Sequence, residues 1–313
     1  MVEHVAINPK IRISAAALLN ERSENADVRH RLRRQSQSFV QLIPVGLFLL
    51  ILLATVIAPL PSATDQSLLN RLSPPVTNGG TWSHPFGTDG LGRDLLARIT
   101  SGSWMSLRIA IAASSIAAVV GIAFGIASGL VGGWTDRLLT LASEISLTIP
   151  SVVVGVVLTA TLGQSLRNLI VILALSGWIS YARVLRLQSR QIAASEYVLA
   201  ASATGAGPVH IAIRHLLPNL MPTILVLFFQ QLGGMMLWEA SLTYLGLGAR
   251  PDTITLGGIV RDGQEQIFSG WWISVFSGLT IAIAIIGFAF LGDWLRDRTD
   301  RRTNSGSGFV GVD

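Results

Sequence analysis

Cysteine is absent from the 313 residues, which excludes disulfide staples and thiolate metal ligation. Lysine is almost absent: Lys10 stands alone beside 22 arginines. A G-x-x-x-x-G-K-[ST] phosphate loop needs a lysine at a fixed place, so this chain cannot build a conventional ATPase core. Histidine is confined to His4, His30, His84, His210 and His215, all outside the long apolar runs. The one serine-protease-like stretch, Gly125-Ile126-Ala127-Ser128-Gly129, lies inside such a run without a base beside it. His210 and His215 are five residues apart, about 140° around an ideal helix, a poor angle for one metal ion. No catalytic residue and no metal site is expected.

Charge is scarce as well, at 13% of residues against 50% hydrophobic, and the mean hydropathy is positive. Such a chain needs a bilayer rather than water. A helix of about 20 apolar residues crosses about 30 Å of hydrocarbon. Six stretches qualify, near Phe39–Pro61, Ile109–Val131, Leu138–Leu162, Leu166–Ala182, Leu220–Leu247 and Trp271–Leu291. The expected fold is an all-α polytopic membrane protein. Placing the amino terminus inside puts 16 of the 23 basic residues on the cytoplasmic side, as the positive-inside rule requires. Both termini are then cytoplasmic. The cluster Arg29, Arg31, Arg33 and Arg34 before the first span reads as a topology anchor on anionic headgroups rather than a nucleic-acid site. Phe39–Pro61 is read as an uncleaved anchor, because it lacks a small-residue cleavage site.

The organisation expected is a basic tail over 1–38, one membrane domain over 39–295 and a polar end over 296–313. The outer loop Ser62–Ser101 is irregular around Pro74, Pro75, Gly79 and Gly80, with an amphipathic surface helix expected after Asp89. Gly121, Gly125 and Gly129 recur every four residues, giving a flat stripe for close helix packing, within the chain or against a sister subunit. Glu144 is expected to cap or pair near Arg137. Glu239, with Gln230 and Gln231 about two turns earlier, either faces a wet pathway or holds the outer loop through Arg250 or Arg261.

Between the fourth and fifth runs lies a polar island, 183–219. Ser195 suits a helix N-cap, and Glu196 in the first turn favours the positive end of the dipole. Tyr197, Ala200, Ala201 and Thr204 then share one face. Gly205 and Gly207 end this helix, and Pro208 opens a second one that breaks at Pro218. The small residues on that face suit a helix laid in a partner's groove; a partnerless interfacial helix is the alternative.

Ala200, Ala201, Gly205, Leu217 and Pro218 match a Glu-Ala-Ala, Gly, Leu-Pro pattern, and the island resembles the EAA loop of ABC-importer permeases. Leu199 stands where that motif has Glu, while Glu196-Tyr197-Val198 resembles the version in the dipeptide, oligopeptide and nickel branch. The resemblance spans about Leu42 to Arg302. It includes His84-Pro85-Phe86-Gly87-Thr88-Asp89 and on to Asp94, Glu239-Ala240-Ser241-Leu242 with Gly246-Leu247-Gly248, and Leu291-Gly292-Asp293-Trp294. Leu256 and Ser277 depart from a usual Trp and Pro. The resemblance implies a C-type permease subunit of type I ABC-importer fold, non-catalytic and binding no cofactor itself. Its implied partners are a B-type sister permease, one or two ABC ATPase subunits carrying ATP and Mg, and an extracytoplasmic binding protein, in the cytoplasmic membrane. Short peptides are the implied cargo, with nickel or another small solute as the alternative. An ion-coupled secondary transporter is the other class, disfavoured because the chain shows no internal repeat.

Overall fold

A computed structural model describes residues 63–250 and 252–304, together with residues 46, 49, 50 and 53, which are helical. The expected tail and most of the expected first span lie outside the described residues, as does the end beyond residue 304. The described residues are all-helical, with one isolated bridge between Thr88 and Asp94. Among the described residues four helices are long and apolar enough to cross a membrane, or five if one bent pair counts as a span.

Helix α1 (Leu95–Val131) opens where the Asp94 carboxylate accepts from the Ala97 N–H at 2.8 Å, an N-cap contact that satisfies one of the helix's orphan donors. At about 1.5 Å per residue its 37 residues far exceed a hydrocarbon core. The separate surface helix expected after Asp89 is therefore not formed: the same residues begin α1 and run straight into the span. It stops at Gly132, where φ is +66°, followed by Gly133 at +56°, a reversal that glycine allows without a Cβ clash.

The run expected over Leu138–Leu162 is not one straight helix. It forms α2 (Gly133–Thr148) and α3 (Ser151–Leu162), bent by 84°. Pro150 causes the break, since it disfavours a helical conformation at Ile149, which is extended with ψ 117°. Helix α4 (Leu166–Ala193) starts on Ser165, whose Oγ accepts from Asn168 N–H, and extends well past the expected end at Ala182.

After the short α5 (Glu196–Ala203), α6 runs over Pro208–Tyr244. No break occurs at Pro218. Ala212–Leu216 make a π turn immediately before it, and this wider turn resets the ladder around a residue that has no N–H. Helix α7 (Leu256–Gln264) is capped by Thr255 Oγ1, which accepts from Gly258 N–H. Helix α8 (Trp271–Asn304) follows. Ser277 stands within it, its Oγ donating to Ile273 O at 2.6 Å, so α8 passes through that point without a proline kink.

The core lies between α1 and α4. A Cβ on Gly121 would stand 2.5 Å from Tyr181 Cβ, one on Gly125 2.9 Å from Ala182 O, and one on Gly129 2.6 Å from Ser189 Cβ. The glycine stripe is thus consumed within the chain rather than kept for a second subunit. Ser114 Oγ and Tyr181 OH, both buried, hydrogen-bond at 2.8 Å across the same seam. Exposed apolar side chains such as Val119, Phe124, Leu141, Ile145 and Val157 remain for lipid or partner helices to cover.

Candidate functional site

Two ends of the bundle carry polar machinery. At the first, α4 ends and α6 begins, with α5 between them. Ser195 occupies the N-cap position of α5, but its Oγ donates to Ile192 O, so it gives no side-chain cap. The Ser195 carbonyl instead accepts from Val198 and Leu199 N–H. Val198 is buried and seats α5, while Glu196, Tyr197, Leu199 and Ala200 are exposed and Ala201 is half-buried. The face expected to receive a partner therefore looks outward.

Gly205 closes α5 at φ +94°. Its N–H donates to Ser202 O, and Ala206 N–H donates to Ala201 O, the paired bonds of a Schellman turn. Asn219 Nδ2 donates to Tyr197 OH at 3.3 Å and to His215 O at 2.6 Å, and the Tyr197 and His215 rings lie 6.0 Å apart. His215 and Asn219 thus tie α5 to the start of α6. No local pattern signals this contact, because Tyr197 and Asn219 stand 22 residues apart. Leu217 and Pro218 lie beside it in the first turn after the π turn, Leu217 half-buried and Pro218 exposed.

The acidic anchor at this end is Asp136 rather than Glu144. Asp136 accepts from Ser128 Oγ at 2.6 Å and Arg186 Nη2 at 2.8 Å, with Arg190 Nη2 at 3.4 Å. Glu144 is exposed and makes no ion pair with Arg137. The reason is geometric: α2 turns back at Gly132, which brings its first turn, not its middle, against α4.

Gln230, Gln231 and Glu239 are not gathered on one face. Gln230 is exposed and reaches Asp293 of α8 at 3.4 Å; Gln231 donates to Gly177 O of α4 at 3.1 Å. Glu239, nine residues after Gln230 and so about 180° away at 100° per residue, is 0% exposed. It accepts from Ser106 Oγ of α1 at 2.7 Å and from Thr243 Oγ1 at 2.9 Å, and Ser106 Oγ in turn accepts from Leu256 N–H of α7 at 3.2 Å. Arg250 and Arg261 make no bond to it, because hydroxyl donors already fill its site.

The opposite end collects the loop before α1, the α3–α4 turn, the end of α6 and α7. There Asp89 Oδ2 takes Arg93 Nε at 2.7 Å and Arg98 Nη1 at 2.5 Å, while Arg98 Nη2 reaches Asp262 at 2.8 Å. Burial alone would raise the Asp89 carboxyl. The Arg93 backbone N–H, the Arg98 guanidinium, the Leu91 N–H and Arg93's charge outweigh it and hold the group below its ordinary value. His84 Nδ1 lies 2.8 Å from Asp94 Oδ2, and Trp272 Nε1 donates to Thr88 O at 3.0 Å. The motif His84–Asp94 is accordingly a folded clip, one that pins α7 and α8 to α1.

The family model described as "Binding-protein-dependent transport system inner membrane component" matches residues 121–305. The oligopeptide transport system permease protein OppC of Bacillus subtilis is 34% identical over 277 residues, covering 88% of each chain. The dipeptide transport system permease protein DppC of Alkalihalophilus pseudofirmus is 31% identical and covers 88% of this chain and 89% of its own. The probable D,D-dipeptide transport system permease protein DdpC of Escherichia coli is 33% identical, covering 81% and 85%. Among solved structures, the MetNI methionine ABC transporter in inward-facing conformations matches at TM-score 0.51 and 21% identity, over 63% of this chain and 94% of that one, a likeness of fold. On these matches the chain belongs to the family of binding-protein-dependent transport system inner membrane components.

Proposed function

We propose that this chain is the C-type permease subunit of an ATP-driven importer that moves short peptides across the cytoplasmic membrane by alternating access. The observation that carries the reading is α5, a short helix with Glu196, Tyr197 and Ala200 turned outward and a Schellman end at Gly205. The names of the relatives supply the cargo class, di- and oligopeptides. In this reading six spans, counting one over Phe39–Pro61, form a membrane domain over 39–295 with both termini in the cytoplasm. A sister permease completes the pore, an external binding protein delivers cargo, and partner subunits hydrolyse ATP with Mg.

The coupling residues are Glu196, Tyr197, Ala200, Ala201, Gly205, Leu217 and Pro218. Movement of the ATPases presses on α5 and passes to α4 through Ser195 and to α6 through Tyr197, Asn219 and His215. Gln230 is the pathway residue proposed to touch cargo; Gln231 and Glu239 act behind it by holding α6 to α4 and α1. The test is ATP-driven uptake of labelled di- and oligopeptides by vesicles holding the whole complex. Glu196→Arg and Gly205→Asp are expected to lose both uptake and ATPase-subunit retention. Normal uptake with normal retention in both variants would remove α5 from the coupling path.

A further inference from the structure

The end opposite α5 encloses a cleft of about 660 Å³, within the size range of small-ligand sites, about 300–1,000 Å³. Part of its wall is the ionic cluster Asp89, Arg93, Arg98 and Asp262, in which two carboxylates and two guanidinium groups pair with one another. That cluster holds its side of the cleft in place and leaves it locally neutral. The other charges in the cleft are different. Arg71, Arg250 and Arg261 line it, as do Asp252 and Glu265, and none of the five makes an ion pair with another described residue. Charges of both signs are therefore held in one small concavity without neutralising each other. Gln164, which donates to Gly246 O, and Gln266 add amide groups to the rim.

From this arrangement we infer that the cleft is a binding site for a small zwitterion, a free dipeptide or tripeptide. Its carboxylate would be taken by Arg250 and Arg261 and its ammonium group by Asp252 and Glu265. An arginine fork donates two parallel bonds to a carboxylate, and two peptide residues extend at most about 7 Å, which suits a cavity of this size better than a protein loop. The inference rests on the peptide reading and adds to it a place where cargo released by the binding protein is held before the pathway opens.

The experiment is equilibrium binding of a radiolabelled dipeptide to the whole transporter complex in nanodiscs, with the binding protein omitted. Three forms are compared: free at both ends, amidated at the carboxyl end, and acetylated at the amino end. Wild type should bind the free form saturably, and each blocked form about tenfold more weakly, the usual scale for a lost bond to a charged group. Arg250→Gln with Arg261→Gln should erase the preference for the free over the amidated form and leave the preference over the acetylated form. Asp252→Asn with Glu265→Gln should do the reverse. A misfolded variant would lose both preferences together, so this crossed pattern separates recognition from stability. Equal binding of all three forms to wild type, or preferences that the variants leave unchanged, would overturn the assignment. So would loss of binding-protein docking in the variants with no dipeptide binding to wild type, which would make the cleft a protein-docking surface. Uptake by the wild-type complex with its binding protein is measured in parallel. No peptide import at all would defeat the cargo reading, whereas import with unchanged preferences defeats the cleft alone.

Discussion

At the scale of the residue, Gly205 and Asp89 act through different physics. A Cβ on Gly205 would meet nothing within 4 Å, yet φ is +94°, so any cost of substitution comes from the backbone. Gly205→Val is expected to lose about 1–2 kcal/mol locally, and Gly205→Asn less, since asparagine tolerates positive φ. Retention of the ATPase subunit by the purified complex should follow the order Gly, Asn, Val; equal retention would show that the turn is not needed. Asp89 is a charge problem. Its folded carboxyl lies below the ordinary value, so the folded state favours the ionised form. The resulting stability is fully present above the unfolded value, about 3.9, and is lost as pH falls through the folded one. The protection of backbone amides in the segment 84–98, taken relative to the intrinsic exchange rate at each pH, should stay constant from neutral pH to about pH 4 and fall in more acid solution. Asp89→Asn should cost about 3 kcal/mol, because it strips the nearly buried Arg98 of one of its two charge partners.

At the scale of the element, small residues decide how closely helices approach. Gly121→Ala would drive a methyl to 2.5 Å from Tyr181 Cβ, forcing α1 and α4 apart at a cost of about 1–3 kcal/mol. Gly278→Ala, on α8 with no other described element within 4 Å of the added carbon, is the matched control and should be close to neutral. Thermal unfolding of the detergent-solubilised complex distinguishes them, and an equal shift for both would show that the seam relaxes freely. Helix α7 is seated in the same manner. Its Gly257 leaves only 2.5 Å between a would-be Cβ and Ala240 Cα, and its Leu256 N–H is tied through Ser106 to Glu239. Glu239→Gln keeps a carbonyl acceptor for Ser106 or Thr243, whereas Glu239→Leu leaves both hydroxyls without one. The leucine variant should expose α7 to protease and the glutamine variant should not.

At the scale of the whole molecule, the two polar ends are joined by α1, α4 and α6, of which α6 carries a π turn followed by Pro218 and Pro222 without bending away. Among the described residues α2 and α3 interrupt the bundle, at the 84° bend. The absence of cysteine permits a direct test of orientation with single introduced thiols. Ser202→Cys on α5 should react with an impermeant maleimide only from the cytoplasmic side, and Thr77→Cys in the loop before α1 only from outside. The opposite pattern would invert the topology.

The sequence by itself determined the membrane class, the apolar stretches beyond the outer loop, the polar island and the glycine that ends its helix. Each depends on composition, on 3.6-residue periodicity or on a cap, all of which act within a few residues. Only the tertiary structure decided that Gly121, Gly125 and Gly129 face α4, and that Glu239 meets Ser106 of α1 while Gln230 meets Asp293 of α8. It also decided that Arg98 meets Asp262 across 164 positions. Those contacts form when separate helices pack, and no local pattern specifies which helix will stand opposite. The bend at Pro150 and the unbroken passage at Pro218 show the same division. Proline marks where a ladder must be interrupted, while neighbouring turns and packing settle whether the chain bends or continues.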